Sequence, residues 1–242
     1  MKRNFTRILI VTIILILAVI SLTGCSNTAK EDSYPKLVEK GYAVMGLDDT
    51  FAPMGFRDEK GNLVGFDVDL SQEVFKRMEI EVKLQPIDWT MKEAELNSGN
   101  IDLIWNGYTI TQEREKKVAF TKPYLDNSQI IVTLAGSDIN AKKDLEGKKV
   151  ALQNGSSAVD AVNTEPELVA AFDGGEPVLF DTNNECFMDL EAGRAEAVVA
   201  DEVLAKYYIK QRGAEKFKIL EEDFGSEEYG IGVRKADKKL LE

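Results

Sequence analysis

The sequence predicts an α/β protein, and three observations carry that prediction. Short apolar, β-branched runs alternate with capped, amphipathic stretches along nearly the whole chain, as strands and helices do when they follow one another. The pattern restarts midway, after Gly136-Ser137-Asp138. In addition, Leu96-Asn97-Ser98-Gly99-Asn100-Ile101-Asp102 is echoed by Leu190-Glu191-Ala192-Gly193-Arg194-Ala195-Glu196: Leu, two residues, Gly, two residues, an acid, then an apolar run. The echo fits two lobes of like build and sets Asp201 in the second half near the place of Asn106 in the first.

In chain order, Tyr42 to Gly46 predicts a first strand, with Asp48-Asp49-Thr50-Phe51-Ala52-Pro53 as the loop at its end. Gly61-Asn62 marks a turn between Arg57 and Val64. Asp67 is expected to cap a helix whose Leu70, Val74, Phe75 and Met78 share one face, and Asp69 to lie on its surface. Val82 and Leu84 alternate with Glu81, Lys83 and Gln85 as a strand. Thr90 and Glu93 have capping-box spacing for a short helix that Gly99 closes. Strands are expected at Ile101–Trp105, Val118–Phe120, Ile130–Val132, Val150–Leu152, Val178–Phe180, Ala197–Ala200 and Ile231–Val233. Helices are expected after Asn154-Gly155-Ser156-Ser157 and near Asn184 to Ala192, where Gly193 ends the segment.

The stretch Trp105-Asn106-Gly107-Tyr108-Thr109-Ile110-Thr111-Gln112-Glu113-Arg114 concentrates chemistry at the end of a buried strand. Gly107 lets another group approach the backbone, and Thr111 can cap the helix that follows. Free N–H groups at a helix start attract anions, and Arg114 adds a planar fork matched to a carboxylate. The sum is a carboxylate-binding corner at the carboxyl end of a strand, where open α/β sheets place ligands. An Arg one turn into a helix also has a plainer reading, as a solvated surface residue.

The N-terminus reads as a targeting segment. Lys2, Arg3 and Arg7 precede an apolar run of 13 residues, Ile8 to Ile20, short for a membrane span. Leu22-Thr23-Gly24-Cys25 looks like the lipobox of bacterial lipoproteins, which implies cleavage before Cys25 and a lipid on its sulfur; a plain secretory signal is the other reading. Ser26 to Ser33 is small and polar, as a tether would be. Residues 1–24 hold three positive charges and no negative ones, so their removal takes the formal net charge from −12 to −15. Such an acidic surface argues against nucleic acid or anionic lipid as partners. With Cys25 lipidated, Cys186 stands alone, and a buried inert thiol on a helix is the expectation. The absence of His from the sequence removes Ser-His-Asp and Cys-His catalysis and His-ligated metal.

Six segments in a fixed order then carry a resemblance. They are Phe51-Ala52-Pro53, Gly65-Phe66-Asp67-Val68-Asp69-Leu70, Thr109-Ile110-Thr111 with Arg114, Phe120-Thr121-Lys122-Pro123-Tyr124, Leu145 to Val150, and Tyr229 to Lys235. From about Tyr42 to Leu241 the chain resembles the family 3 bacterial solute-binding proteins, which deliver polar amino acids to ABC importers. The resemblance implies a two-lobed, periplasmic-binding-protein-like α/β fold with a ligand cleft between the lobes. Two crossings would lie near Ser128 to Val132 and Glu228 to Val233. Residues 1–24 would be the signal, 25–33 the tether, 34–130 plus 231–242 the first lobe and 131–230 the second.

Carried over by position, the resemblance implies that Arg114 holds a ligand α-carboxylate, helped by Thr109 and Ser157. Asp201 would hold the α-ammonium beside the Gly107 carbonyl. Phe51 and Trp89 would sandwich the ligand side chain, and Asp48 and Asn106 would read its polar end. No cofactor or metal is implied. The partners implied are an L-amino acid and an ABC permease, with a lipid anchor on Cys25 holding a monomer at the outer face of the cytoplasmic membrane. Plainer readings remain: Phe51 and Trp89 as core, and Asp201 as an N-cap before Glu202.

Two other functions compete on the same scaffold, a cyclohexadienyl dehydratase-like enzyme and a sensor domain. A dehydratase needs a positioned acid, whereas Asp48, Asp201 and Arg114 are already explained by a zwitterion, whose two charges must both be paired when buried. Asp48 with Trp89 and Phe51 suits a basic side chain, Asn106 and Asn154 an amide or cystine, and Asp48 would repel a second carboxylate. The family's chains usually continue past Arg234-Lys235 with a packing helix. Ending at Glu242 is therefore expected to expose apolar surface and to lower the melting temperature relative to an extended version.

Overall fold

Two five-stranded sheets and one small one organise the computed structural model, which describes residues 31–242. The expected signal, lipidation site and most of the tether lie outside the described residues. Seven strands fill the first part of the chain: β1 (Tyr42–Leu47), β2 (Thr50–Phe51), β3 (Gly55–Arg57), β4 (Leu63–Val64), β5 (Glu81–Pro86), β6 (Leu103–Ile104) and β7 (Ala119–Phe120). Six more follow: β8 (Leu125–Leu134), β9 (Val150–Gln153), β10 (Val178–Phe180), β11 (Ala197–Asp201), β12 (Phe217–Tyr229) and β13 (Gly232–Val233). The first sheet has the order β5-β1-β6-β13-β7, the second β10-β9-β11-β8-β12, and β2-β3-β4 form a flap. The mixed α/β class is therefore as the alternation predicts.

The first sheet includes β13, a strand from the far end of the chain, inserted antiparallel between β6 and β7. The chain leaves this sheet after β7, enters the second by β8, and returns from β12 through Gly230-Ile231 to β13. Strands β8 and β12 are long and paired antiparallel, from Leu125 opposite Tyr229 to Leu134 opposite Phe217. The segment expected as the first crossing lies inside this pairing. Arg234 ties the return to the first sheet: its guanidinium donates to the Ile101 carbonyl at 2.6 Å and to Asp102 at 3.1 Å.

The core under the first sheet packs Met45, Leu47, Val68, Phe75, Leu103 and Trp105, with Leu70, Val74 and Met78 half-buried at its margin. These come from strand residues and from one face of the helix Phe66–Arg77, as its periodicity requires. The second sheet is buried on both faces, with Val132, Val198, Phe187 and Leu190 on one side and Ile131, Val150, Val199 and Leu152 on the other. Continuous apolar runs such as Ala197–Ala200 follow from that two-sided burial.

The internal echo is structural. Gly99 and Gly193 each end a helix in the left-handed region, at φ +88° and +68°, and Leu96 and Leu190 are both fully buried. Cys186 is buried on the helix Asn183–Glu191, and burial pushes its thiol up, which fits an inert role. The helix-start readings divide. Thr111 accepts from the Arg114 N–H at 3.2 Å, as expected. Asp67, expected as an N-cap, lies inside a helix that Gly65 precedes, and its carboxylate turns inward. Thr90 is likewise not the cap: Asp88, one residue before Trp89, accepts from its N–H at 2.8 Å. The causes differ: Asp88 makes a local cap two residues before Thr90, whereas Asp67 turns to a donor at Gly107 that local spacing does not reveal.

Candidate functional site

Eight of the nine residues singled out for a ligand fall along one seam, where loops at the strand ends of the first sheet meet the second; the ninth, Trp89, packs in the core of the first side. From the first side, β1 ends in Asp48, and β6 runs into Asn106, Gly107 and Thr109. From the second, β9 runs into the loop before Ser157, and β11 ends in Asp201. β1 and β6 are parallel, as are β9 and β11, so each pair ends on one side of its sheet, and hydrogen bonds such as Asp48–Gln153 and Thr109–Ser157 join the two sets of ends.

At one end of the seam sits Arg114, which is 4% exposed. It donates to the Thr109 carbonyl at 2.9 Å and, across the seam, to the Gly155 carbonyl at 3.3 Å. Its guanidinium lies 4.6 Å from the centroid of the Tyr108 ring, a cation–π distance. The Ser157 hydroxyl donates across the seam to that of Thr109 at 3.0 Å. A buried guanidinium bonded only to neutral carbonyls, beside two hydroxyls, is a seat for an anion.

At the centre, Asp201 is buried and its oxygens face away from its own helix start, so it makes no side-chain cap. Oδ1 accepts from Asn127 at 2.9 Å and from Gln129. Burial first, then the neighbouring Glu227 carboxylate, hold the Asp201 proton on well above the usual carboxylate range. Gly107 lies beside this group with φ +54°, and a Cβ there would come within 2.8 Å of the Phe51 ring and 3.1 Å of the Tyr229 ring. Only glycine fits that close approach.

At the far end, Asp48 is also buried. It accepts from the Thr50 N–H at 2.8 Å and hydroxyl at 2.7 Å, and from Gln153 across the seam at 2.7 Å. Burial raises its pKa, against the pull of these bonds. Asn106 accepts from the Asp48 N–H at 2.9 Å, while its own NH₂ is buried with no acceptor. Phe51 packs with Met54 and Tyr229 over this end. Trp89 packs among Leu96, Ile101, Ile104 and Val118, edge-on to Tyr108 at 5.8 Å. Asn154 is exposed on the rim.

Several residues the sequence reading passed over belong to the same place. Gln153 bridges Asp48 and Asn183. Asp67 accepts from the Gly107 N–H at 2.7 Å and the Tyr124 hydroxyl at 2.9 Å, and so holds the glycine loop from behind. Lys92 is buried and donates to the carbonyls of Trp89 at 3.0 Å and Gly155 at 2.9 Å, a second bond across the seam to the acceptor Arg114 uses. Asn127, Gln129 and Glu227 surround Asp201. One signal was available for Asn127 and Gln129: residues two apart in a strand share a face. Among the described residues, no group of three or more His, Cys, Asp or Glu could hold a metal ion.

This arrangement pairs a buried cation at one end with buried acids at the centre and far end, under aromatic walls. It can hold a small zwitterion with an extended side chain. Comparison with known proteins gives the family. Residues 43–242 match the model of the bacterial extracellular solute-binding proteins, family 3. An L-cystine-binding protein of Escherichia coli (strain K12) is 30% identical over 230 residues, spanning 93% of this chain and 84% of that protein. A lysine/arginine/ornithine-binding periplasmic protein of the same organism is 33% identical over 233 residues, 93% of this chain and 86% of its own. The crystal structure of an ABC uptake transporter substrate-binding protein from Streptococcus pneumoniae with bound histidine superposes with a TM-score of 0.84 at 39% identity, covering 87% of this chain and 86% of that one. The chain belongs to the bacterial extracellular solute-binding proteins, family 3.

Proposed function

We propose that this protein captures a polar L-amino acid between two closing lobes outside the cytoplasmic membrane and passes it to an ABC importer. The observation that carries the reading is the seam itself. Arg114 and Thr109 from one side meet Ser157 and Asp201 from the other, so a single zwitterion would pair with both sides and make binding and closure one event. In this reading Arg114, Thr109 and Ser157 take the α-carboxylate, and Asp201 with the Gly107 carbonyl takes the α-ammonium. Phe51 and Trp89 flank the side chain, and Asp48 and Asn106 face its polar end. The lobes are residues 34–130 plus 231–242 and residues 131–230, joined by the passage into β8 and the return into β13.

The cystine-, histidine- and lysine/arginine/ornithine-binding relatives support an amino acid as ligand and a transport role without chemistry. The buried cations Arg114 and Lys92 lie at one end and the buried acid Asp48 at the other, where it favours a cationic or neutral side chain over an acidic one. A lipid on Cys25 and a permease partner complete the proposal; they rest on the lipobox-like sequence and on the family. Among the described residues no helix is long and apolar enough to cross a membrane.

A thermal-shift screen tests this. The full-length protein in detergent is heated with each of the twenty L-amino acids, cystine and ornithine, and tryptophan fluorescence is followed. A ligand at 100 times its Kd adds about 2.7 kcal/mol, several degrees for a protein of this size. A shift with one or a few polar amino acids is expected. No shift with any of them refutes the proposal.

A further inference from the structure

Glu227 has no role in the contacts proposed above, yet its carboxylate sits among them. One oxygen, Oε1, accepts from the Thr109 hydroxyl at 2.7 Å, the Ser157 hydroxyl at 3.1 Å, Asn127 Nδ2 at 2.7 Å and Gln129 Nε2 at 2.8 Å. The sheet register explains how it arrives. Strand β8 lies between β11 and β12, with Gln129 opposite Asp201 on one side and Asn127 opposite Glu227 on the other. Asn127 and Gln129 are two apart and share a face, so both acids reach the same pair of carboxamides.

The polar balance there is uneven. Each carboxamide NH₂ is divided between the two acids. The oxygens of the same carboxamides, on residues 3% and 1% exposed, have no hydrogen-bond partner, and neither does the buried Tyr229 hydroxyl. Two acids and two orphaned amide oxygens therefore lie together, and even with a proton held on Asp201 both amide oxygens are left without a donor among the described residues. A primary ammonium, three donors and no acceptor, supplies what this set is short of. An anion would worsen it.

A second relation points the same way. The hydroxyls that Glu227 engages, on Thr109 and Ser157, are those proposed for the ligand's carboxylate. A ligand that brings its own carboxylate to them must turn Glu227 away, and a ligand ammonium seated against Asp201 is then a positive charge within its reach. Glu227 is half-buried at the margin of the seam and has a flexible side chain able to make that move.

We propose that Glu227 is a second carboxylate of the ligand cradle, seating the α-ammonium together with Asp201 while yielding the Thr109 and Ser157 hydroxyls to the α-carboxylate. The proposal rests on the amino-acid reading of the site. It assigns Glu227 a direct part in selecting ligands that carry a free α-amino group.

The test compares amino acids with their deamino analogues by isothermal titration calorimetry on the full-length protein in detergent. The pairs are L-arginine with 5-guanidinopentanoate, L-histidine with imidazole-4-propionate, and L-glutamine with glutaramate. In wild type, the amino acid that binds should be preferred over its analogue. E227Q should weaken the amino acid about tenfold or more and leave the analogue within about threefold. E227D, which keeps the charge, should retain most of the preference. Tighter binding of both ligands to E227Q would overturn the proposal, by making Glu227 a mere competitor for the hydroxyls. Equal weakening of both would overturn it by making Glu227 a support of the fold. If wild type binds no amino acid, the functional proposal itself fails, and this one falls with it.

Discussion

Replacing Arg114 by alanine tests the chemistry of the seam most directly. In the structure its guanidinium is buried, stacked on Tyr108 and bonded to two backbone carbonyls. If it also pairs with a ligand carboxylate, its removal leaves that carboxylate buried and unpaired. Truncating one partner of a buried hydrogen-bonded charge pair costs roughly 2–5 kcal/mol, or about 30-fold to several thousandfold in Kd. Arg114→Lys keeps a charge but loses the fork, and should fall between wild type and alanine. Calorimetric titration with the best ligand of the screen measures this. A ligand carboxamide in place of the carboxylate adds the control. It should bind wild type far more weakly, and lose little more in Arg114→Ala, because the partner is already gone. A folded Arg114→Ala protein that binds within tenfold of wild type would refute the reasoning and move the carboxylate site elsewhere.

If Asp201 takes the ammonium as proposed, Asp201→Ala should weaken the same ligand by roughly 2–5 kcal/mol; equilibrium titration of the purified variant decides it. Asp67 should make stability pH-dependent. Burial, against the bonds from Gly107 and Tyr124, raises its pKa from 3.8 to about 7. The unfolded chain loses this proton near 3.8 while the folded chain keeps it to about 7, so this group's contribution to stability falls as pH rises through that window. D67N should flatten that fall in denaturant midpoints measured from pH 4 to 7, and an unchanged slope would contradict it. Lys92 behaves oppositely: burial, with Arg114 beside it, lowers its ammonium from 10.5 to about 8. The unfolded chain then holds the proton longer than the folded one, and stability gains from this group between about pH 8 and 10.5. K92M should remove that gain, as read by the same denaturant series.

The sequence alone determined the features that depend on local periodicity and backbone freedom. The strands β1, β9 and β11 were legible because their apolar patterns report burial directly, β5 by its alternation and β10 by its short β-branched and apolar run, although Val178 and Leu179 are exposed; Gly99 and Gly193 marked helix ends because few other residues adopt a left-handed cap. Thr111 was legible as a cap because the donor it accepts from lies three residues away. The motif order, read as a resemblance, carried the family.

Only the tertiary structure decided which groups share one space. Asp67 has the spacing of an N-cap, but the donor it serves belongs to Gly107, forty positions along the chain, and local pattern carries no information about such a partner. The insertion of β13 between β6 and β7 depends on a segment more than a hundred residues away. Glu227 lies in a stretch for which local pattern predicted no element; the register of β12 against β8, with its shifts between Ile219 and Ser226, turns it toward Asp201. Lys92 reads as a surface residue of a short helix and is buried because the Gly155 carbonyl meets it from the other side of the seam. In each case the deciding force is a long-range hydrogen bond made where water is excluded, and such bonds are set by the assembled surfaces, not by neighbours in sequence.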